Sequence, residues 1–221
     1  MHTGDKMELK YFVILLSIIC ISLLYFLSTL SQPAVIDLHE IPNYEGKQVI
    51  VEGIITEYRT TTYGGQIIEI KNIERGHKAT IFVEEEAYVE YGDKIQVTGK
   101  VQKYKDEWEI VVNNARFVEI LQKWDNITFP LWQLAENPDN YVGININITG
   151  VIDRVYDSYF YLVDEEELHT IAVYFDVSEF YNFSQGDKVC VRARFVYDTE
   201  ALRFVLNVNE ETHNIYVVEE D

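Results

Sequence analysis

Basic charge is scarce in this chain. Its 221 residues carry 18 Lys+Arg against 37 Asp+Glu, a formal net charge of −19. Such a surface stays soluble and repels polyanions at long range, so charge alone does not hold this protein on nucleic acid, although a local basic face is not excluded. Cysteine is scarcer still. Cys20 falls in an apolar run and Cys190 has no partner outside it, so no disulfide framework exists. Catalytic patterns are missing as well: there is no Ser–His–Asp order, no Gly-rich phosphate loop and no Cys–His constellation. His77, His169 and His213 lie far apart, with no second ligand at metal spacing. The acidic runs Glu84–Glu86 and Asp164–Glu167 lack the alternating carboxylates and turn glycine of a calcium loop, and read as solvated surface. No metal, no cofactor and no enzymatic activity is expected.

Charge of either sign is absent from Tyr11 to Leu30, where Phe, Val, Ile and Leu dominate. About 20 such residues cross a ~30 Å hydrocarbon layer, so a transmembrane helix is expected over 11–31 after a short tail, 1–10. A cleavable signal peptide fits less well, because its apolar region is about 7–15 residues long and ends at a small-x-small site, which Ser28-Thr29-Leu30-Ser31 does not supply. Lys6 and Lys10 precede the run and no Lys or Arg follows before Lys47. Basic flanks stay cytoplasmic, which predicts a single-pass signal-anchor in the cell membrane with the remaining residues extracytoplasmic. Sequons at Asn126 and Asn182 are glycosylation candidates under that reading; a third, at Asn147, sits in an expected strand.

What the remainder has is alternation. Val, Ile, Tyr and Phe alternate with polar residues, as in Val49-Ile50-Val51 and Ile144-Asn145-Ile146-Asn147-Ile148, with Gly, Asp and Asn between runs, which is an all-β pattern. The pattern also occurs twice. Gly46 and Gly53 bracket one strand and Gly143 and Gly150 another, and Gly-Asp-Lys leads into strands at Gly92 and at Gly186. Two domains of one type, 33–120 and 121–221, joined near Leu121–Phe129, account for this. The first is expected to have strands near 47–58, 65–73, 78–84, 93–105 and 107–118, with a short helix at Glu85–Glu90. The second is expected to have them near 143–156, 158–164, 168–175, 187–198 and 200–208, with a short helix at Val177–Phe183.

Five strands with a helix between the third and fourth is the order of an OB-fold, a five-stranded Greek-key barrel. The halves resemble the nucleic-acid-binding OB-fold group of the tRNA-anticodon-binding type. The resemblance rests on Gly46, Val49, Val51 and Gly53, and on Gly92, Asp93, Ile95, Val97 and Gly99; in the second half Ala193 stands where the first has Gly99. The fold class expected is therefore all-β, two tandem OB-like barrels preceded by one transmembrane helix. One span before an OB barrel also resembles the membrane-anchored haem chaperones of cytochrome c maturation. Their H-x-x-x-Y motif is one residue longer than His213-Asn214-Ile215-Tyr216, and their barrel is not duplicated.

OB-folds bind along strands two and three, between the strand 1–2 and strand 4–5 loops. In the first half those places carry Arg59, Tyr63, Lys71, Lys78, Lys103, Tyr104, Lys105 and Trp108, the cation-and-aromatic mixture of a single-stranded nucleic-acid groove. The corresponding loops of the second half, Tyr156-Asp157-Ser158-Tyr159 and Tyr197-Asp198-Thr199-Glu200, are acidic. Residues 33–120 hold 10 basic and 16 acidic residues, against 6 and 19 in 121–221, so a polyanion would meet the first half. The expected function is non-catalytic binding of a protein, glycan or envelope component by an externally displayed module, with the membrane as an anchor. The alternative is single-stranded nucleic-acid binding by the first half.

Overall fold

The structure is a computed structural model that describes residues 4–30, 32–176 and 183–218; in the first helix the side chains of residues 10–26 and 28 are described. The chain divides into two compact units, Met1–Ala34 and Val35–Asp221. The first contains helix α1 (Gly4–Leu30). Among the described residues, no helix is long and apolar enough to cross a membrane. The transmembrane helix over 11–31, the single-pass anchor, the cell-membrane localisation and the extracytoplasmic placement therefore do not stand. The rationale for glycosylation at Asn126 and Asn182 goes with them. Asn126 ends a short 3-10 turn, and Asn182 lies outside the described residues.

The second unit is mostly β. After a two-residue β1 (Ala34–Val35) and a 3-10 helix at Leu38–Tyr44 come β2 (Gln48–Thr60), β3 (Gln66–Lys71), β4 (Lys78–Val83), β5 (Lys94–Tyr104) and β6 (Glu107–Val112). Alternation decides which side chains point inward. Val49, Val51, Ile55, Ile68, Ile70, Ile81, Ile95, Val97 and Ile110 are fully buried, each contributing about 1.5–3 kcal/mol over exposure. Antiparallel pairs join β2 to β3, β3 to β4, β5 to β6 and β5 to β2, and β4 runs parallel to β6. The circuit closes, giving a five-strand barrel consistent with OB-like folds. The β2–β3 register shifts between Ile55 and Glu57, a bulge that lets the long first strand coil. Close packing explains the nearby glycine, because a Cβ at Gly53 would lie 2.9 Å from that of Ile70.

The expected helix at Glu85–Glu90 is extended chain instead. Its backbone donors are taken by side chains, Ala87 N by Gln66 Oε1 at 3.1 Å and Glu90 N by Asp93 Oδ2 at 3.0 Å. Ala87 and Val89 are buried while Tyr88 is exposed, so the segment follows a period of two. The counterpart expected at Val177–Phe183 lies outside the described residues, apart from Phe183. The closing strand expected to reach residue 118 stops at Val112, and a separate β7 (Val118–Gln122) pairs with β5.

A second sheet follows β8 (Phe129–Pro130) and α2 (Leu131–Glu136). Its strands are β9 (Asn145–Val155), β10 (Tyr159–Val163), β11 (Thr170–Phe175), β12 (Lys188–Asp198) and β13 (Arg203–Val208), with β14 (Asn214–Val217) on β12. Strands β9 to β13 pair in the same order as β2 to β6, including the one parallel pair, β11 with β13. Its core holds Ile146, Ile148, Phe160, Leu162, Phe195 and Leu206. Asn147, on the opposite face of β9, is also buried, donating to Thr128 Oγ1 at 2.9 Å and accepting from Cys190 Sγ at 2.6 Å.

The segment expected as a connection, Leu121–Phe129, is a packed junction. Asp93 is fully buried and accepts from Trp124 N at 3.2 Å, Lys123 Nζ at 3.0 Å and Glu90 N. Burial alone lowers the Lys123 pKa, but the Asp93 carboxylate outweighs it and the net direction is upward. Trp124 Nε1 donates to Glu90 at 2.6 Å, and its ring meets His213 edge-on at 6.0 Å. Across the same junction the Arg194 guanidinium lies 3.6 Å from the Tyr91 ring centroid, and Tyr91 packs on Tyr58.

Candidate nucleic-acid interface

Outward-facing residues of β2 to β6 and the adjoining turns line a groove of about 740 Å³. Five of the eight residues singled out by sequence meet there: Arg59 from the end of β2, Tyr63 from the β2–β3 turn, and Tyr104, Lys105 and Trp108 from the β5–β6 hairpin. The hairpin is built for this display. Tyr104 pairs with Glu107 across the strands, and Lys105 and Asp106 between them take φ of 48° and 71°. That is the twist of a two-residue type I′ turn, and it lifts Lys105 clear of the sheet. Tyr63 is 98% exposed and Tyr104 57%, so both rings are available for stacking.

The other three candidates are placed differently. Lys103 pairs across the strands with Trp108, lies 5.8 Å from its ring centroid and meets Asp106 at 3.1 Å. It therefore flanks the groove while partly neutralised. Lys78 is bound to Glu69 at 2.6 Å. Lys71 donates to the Asp139 carbonyl at 3.0 Å, on the segment before the second sheet. The groove also holds five carboxylates, Glu57, Glu69, Glu84, Glu107 and Glu109, an opposing charge that a list of cations and aromatics leaves out.

An arrangement that sequence reasoning missed stands on the second sheet. Tyr156 and Tyr159 stack at 4.5 Å, and Tyr159 also meets Tyr161 and Tyr174 at 5.7 and 5.4 Å. Arg203 donates to the hydroxyls of Tyr161 at 3.1 Å and Tyr174 at 2.6 Å, and Arg154 lies 4.9 Å from the Tyr161 centroid. Partial burial among these rings pushes the Tyr159 hydroxyl above its ordinary value. The signal that marks this face is Tyr159-x-Tyr161 at strand spacing, which puts both rings on one side.

Of the histidines, His213 is buried, accepts from the Asn209 and Glu210 amides through Nδ1, and faces Glu210 at 3.5 Å. His169 lies 4.0 Å from Asp164, whose Oδ1 caps the turn at Leu168 and His169.

The closed circuit of pairings defines the class, a mostly β protein with an OB-like barrel. No protein-family model and no curated protein matches the chain. Among solved structures, an asparaginyl-tRNA synthetase of Entamoeba histolytica in complex with asparaginyl-adenylate aligns at 14% identity and TM-score 0.33 over 42% of this chain. The alignment spans about a quarter, 24%, of that synthetase. A murine DNA-binding protein bound to double-stranded DNA aligns at 12% and TM-score 0.35 over 79% of this chain and 96% of its own. A single-stranded DNA-binding protein from Thermus aquaticus aligns at 16% and TM-score 0.26 over 79% and 95%. At these overlaps the likenesses carry no inference about what this chain binds.

Proposed function

We propose that this chain is a non-catalytic single-stranded nucleic-acid-binding protein, in which β2–β6 and β9–β13 are two tandem OB-like Greek-key barrels and the first presents the groove. The observation that supports it is the convergence of Arg59, Tyr63, Tyr104, Lys105 and Trp108 on one open groove. Base–aromatic stacking is worth about 1–3 kcal/mol per base, and exposed Tyr63 and Tyr104 beside Trp108 offer it to successive bases. The five groove carboxylates limit phosphate neutralisation, so stacking carries most of the affinity. With about two to three effective cations, the slope of log K against log salt is shallow, about −1.4 to −2.

Fluorescence anisotropy of the full chain with a labelled oligo-dT tests this. Trp108→Ala weakens binding by about five- to hundred-fold, and Lys105→Glu weakens it while flattening the salt slope by about 0.7 or more. Absence of saturable binding, or binding indifferent to Trp108→Ala, overturns the proposal. The same carboxylates support a second reading, a basic polypeptide in the groove. In that case oligo-dT does not bind and Lys105→Glu strengthens capture of a Lys-rich peptide.

A further inference from the structure

The three-residue cluster at the start of the second unit is unrelated to the groove. Asp37 precedes the 3-10 helix Leu38–Tyr44 as its N-cap; its side chain accepts from His39 N, and Glu40 returns a bond to Asp37 N at 3.1 Å. His39 follows two residues later. His77 arrives from the β3–β4 turn, where its carbonyl accepts from Asn72 N at 2.8 Å and Asn72 Oδ1 accepts from Glu74 N and Arg75 N. Backbone bonds thus fix both approaches.

The side chains then converge. Asp37 Oδ1 lies 2.9 Å from His39 Nδ1 and 3.4 Å from His77 Nδ1, and one ligand atom from each residue falls within 4.8 Å of the others. Ligands at 2.0–2.1 Å around a tetrahedral divalent ion stand about 3.3 Å apart, and the two measured edges bracket that value. Among the described residues His77 Nδ1 is buried and makes no contact of hydrogen-bond geometry, its contact with Asp37 Oδ1 being the 3.4 Å approach. Arg75 binds the other carboxylate oxygen, Oδ2, at 2.6 Å and turns Oδ1 toward the imidazoles, the orienting role of an outer-shell partner.

We infer that Asp37, His39 and His77 form a binding site for a borderline divalent cation of the zinc type, with three protein ligands and a fourth position left to water. Two imidazoles and one carboxylate select zinc or cobalt over calcium and magnesium, which take all-oxygen sets. The bound ion ties the 3-10 helix to the β3–β4 turn. Its affinity is moderated by the neighbouring Arg75 charge and by exposure, the His39 and His77 side chains being 51% and 41% exposed.

Calorimetric titration of the untagged full chain with zinc, and with cobalt under visible absorption, tests the site. One equivalent is expected to bind, with the d–d bands of four-coordinate cobalt and a zinc-dependent rise in melting temperature. His77→Ala and His39→Ala each lower the affinity at least tenfold and remove the rise, and both positions are exposed enough to leave the fold intact. Asp37→Asn keeps a capping oxygen and also lowers the affinity. No saturable uptake, or uptake unchanged in both histidine variants, overturns the assignment, and binding of oligo-dT is unaffected by any of the three.

Discussion

The two Gly-Asp-Lys turns offer a matched pair of perturbations. Gly92 and Gly186 have nearly the same backbone, φ of 91° and 93°, so alanine at either carries the same conformational cost, about 1–2 kcal/mol for an L-residue in left-handed space. Their surroundings differ. Among the described residues nothing lies within 4 Å of a Cβ built on Gly186, whereas one on Gly92 overlaps the Asn145 carbonyl oxygen and comes 3.0 Å from Trp124 Cβ. A carbonyl in the second sheet has little room to move, and overpacking costs about 1–3 kcal/mol beyond the backbone strain. Gly186→Ala should therefore lose about 1–2 kcal/mol and Gly92→Ala about 2–5 kcal/mol. Urea denaturation of the full chain followed by tryptophan emission reads both. With m near 2 kcal/mol/M, the gap between the variants is about 0.5–1.5 M in midpoint. Trp124 reports on the altered contact itself. Equal midpoints for the two variants, or a larger loss at Gly186, would refute the claim that a side chain at Gly92 collides with the Asn145 carbonyl and Trp124.

Asp93→Ala removes the acceptor shared by Glu90 N, Trp124 N and Lys123 Nζ and should cost about 3 kcal/mol or more; a loss below about 1 kcal/mol would show that the junction does not depend on it. His213 has a pKa below its ordinary 6.5, lowered chiefly by burial, with Arg194 adding to the effect and Glu210 and Glu90 opposing it. The unfolded chain therefore takes the proton first, so stability is fully present above pH 6.5 and falls as pH drops through the lowered folded value. His213→Gln should flatten that part of the stability profile, measured as urea midpoints between pH 7.5 and 5. A profile unchanged by the substitution would place the titration elsewhere.

Strand positions in the first half were readable from alternation: Val49, Val51, Ile68 and Ile70 face inward as their spacing dictates. The short helix at Glu85–Glu90 misled, because its donors are claimed by Gln66 and Asp93, partners distant in sequence or of unforeseen role. Net charge by halves pointed to the first barrel but concealed the tyrosines of the second sheet, since a count of acidic residues carries no information about which rings share a face. The same blindness hid the Asp37, His39 and His77 cluster, whose members belong to two turns 38 residues apart in their numbering. The apolar run 11–30 fits a membrane by composition, yet among the described residues no helix is long and apolar enough to cross one.

One feature of the junction bears on the origin of the chain. Asp93 and Asp187 occupy equivalent places in the two halves, but among the described residues the Asp187 side chain receives the amide of Ser184 at 2.7 Å, while Asp93 also holds Trp124 and Lys123. The halves have ceased to be interchangeable. Exchanging the order of the two halves would put Asp187 where Asp93 now holds Trp124 and Lys123, so the two orders are not equivalent.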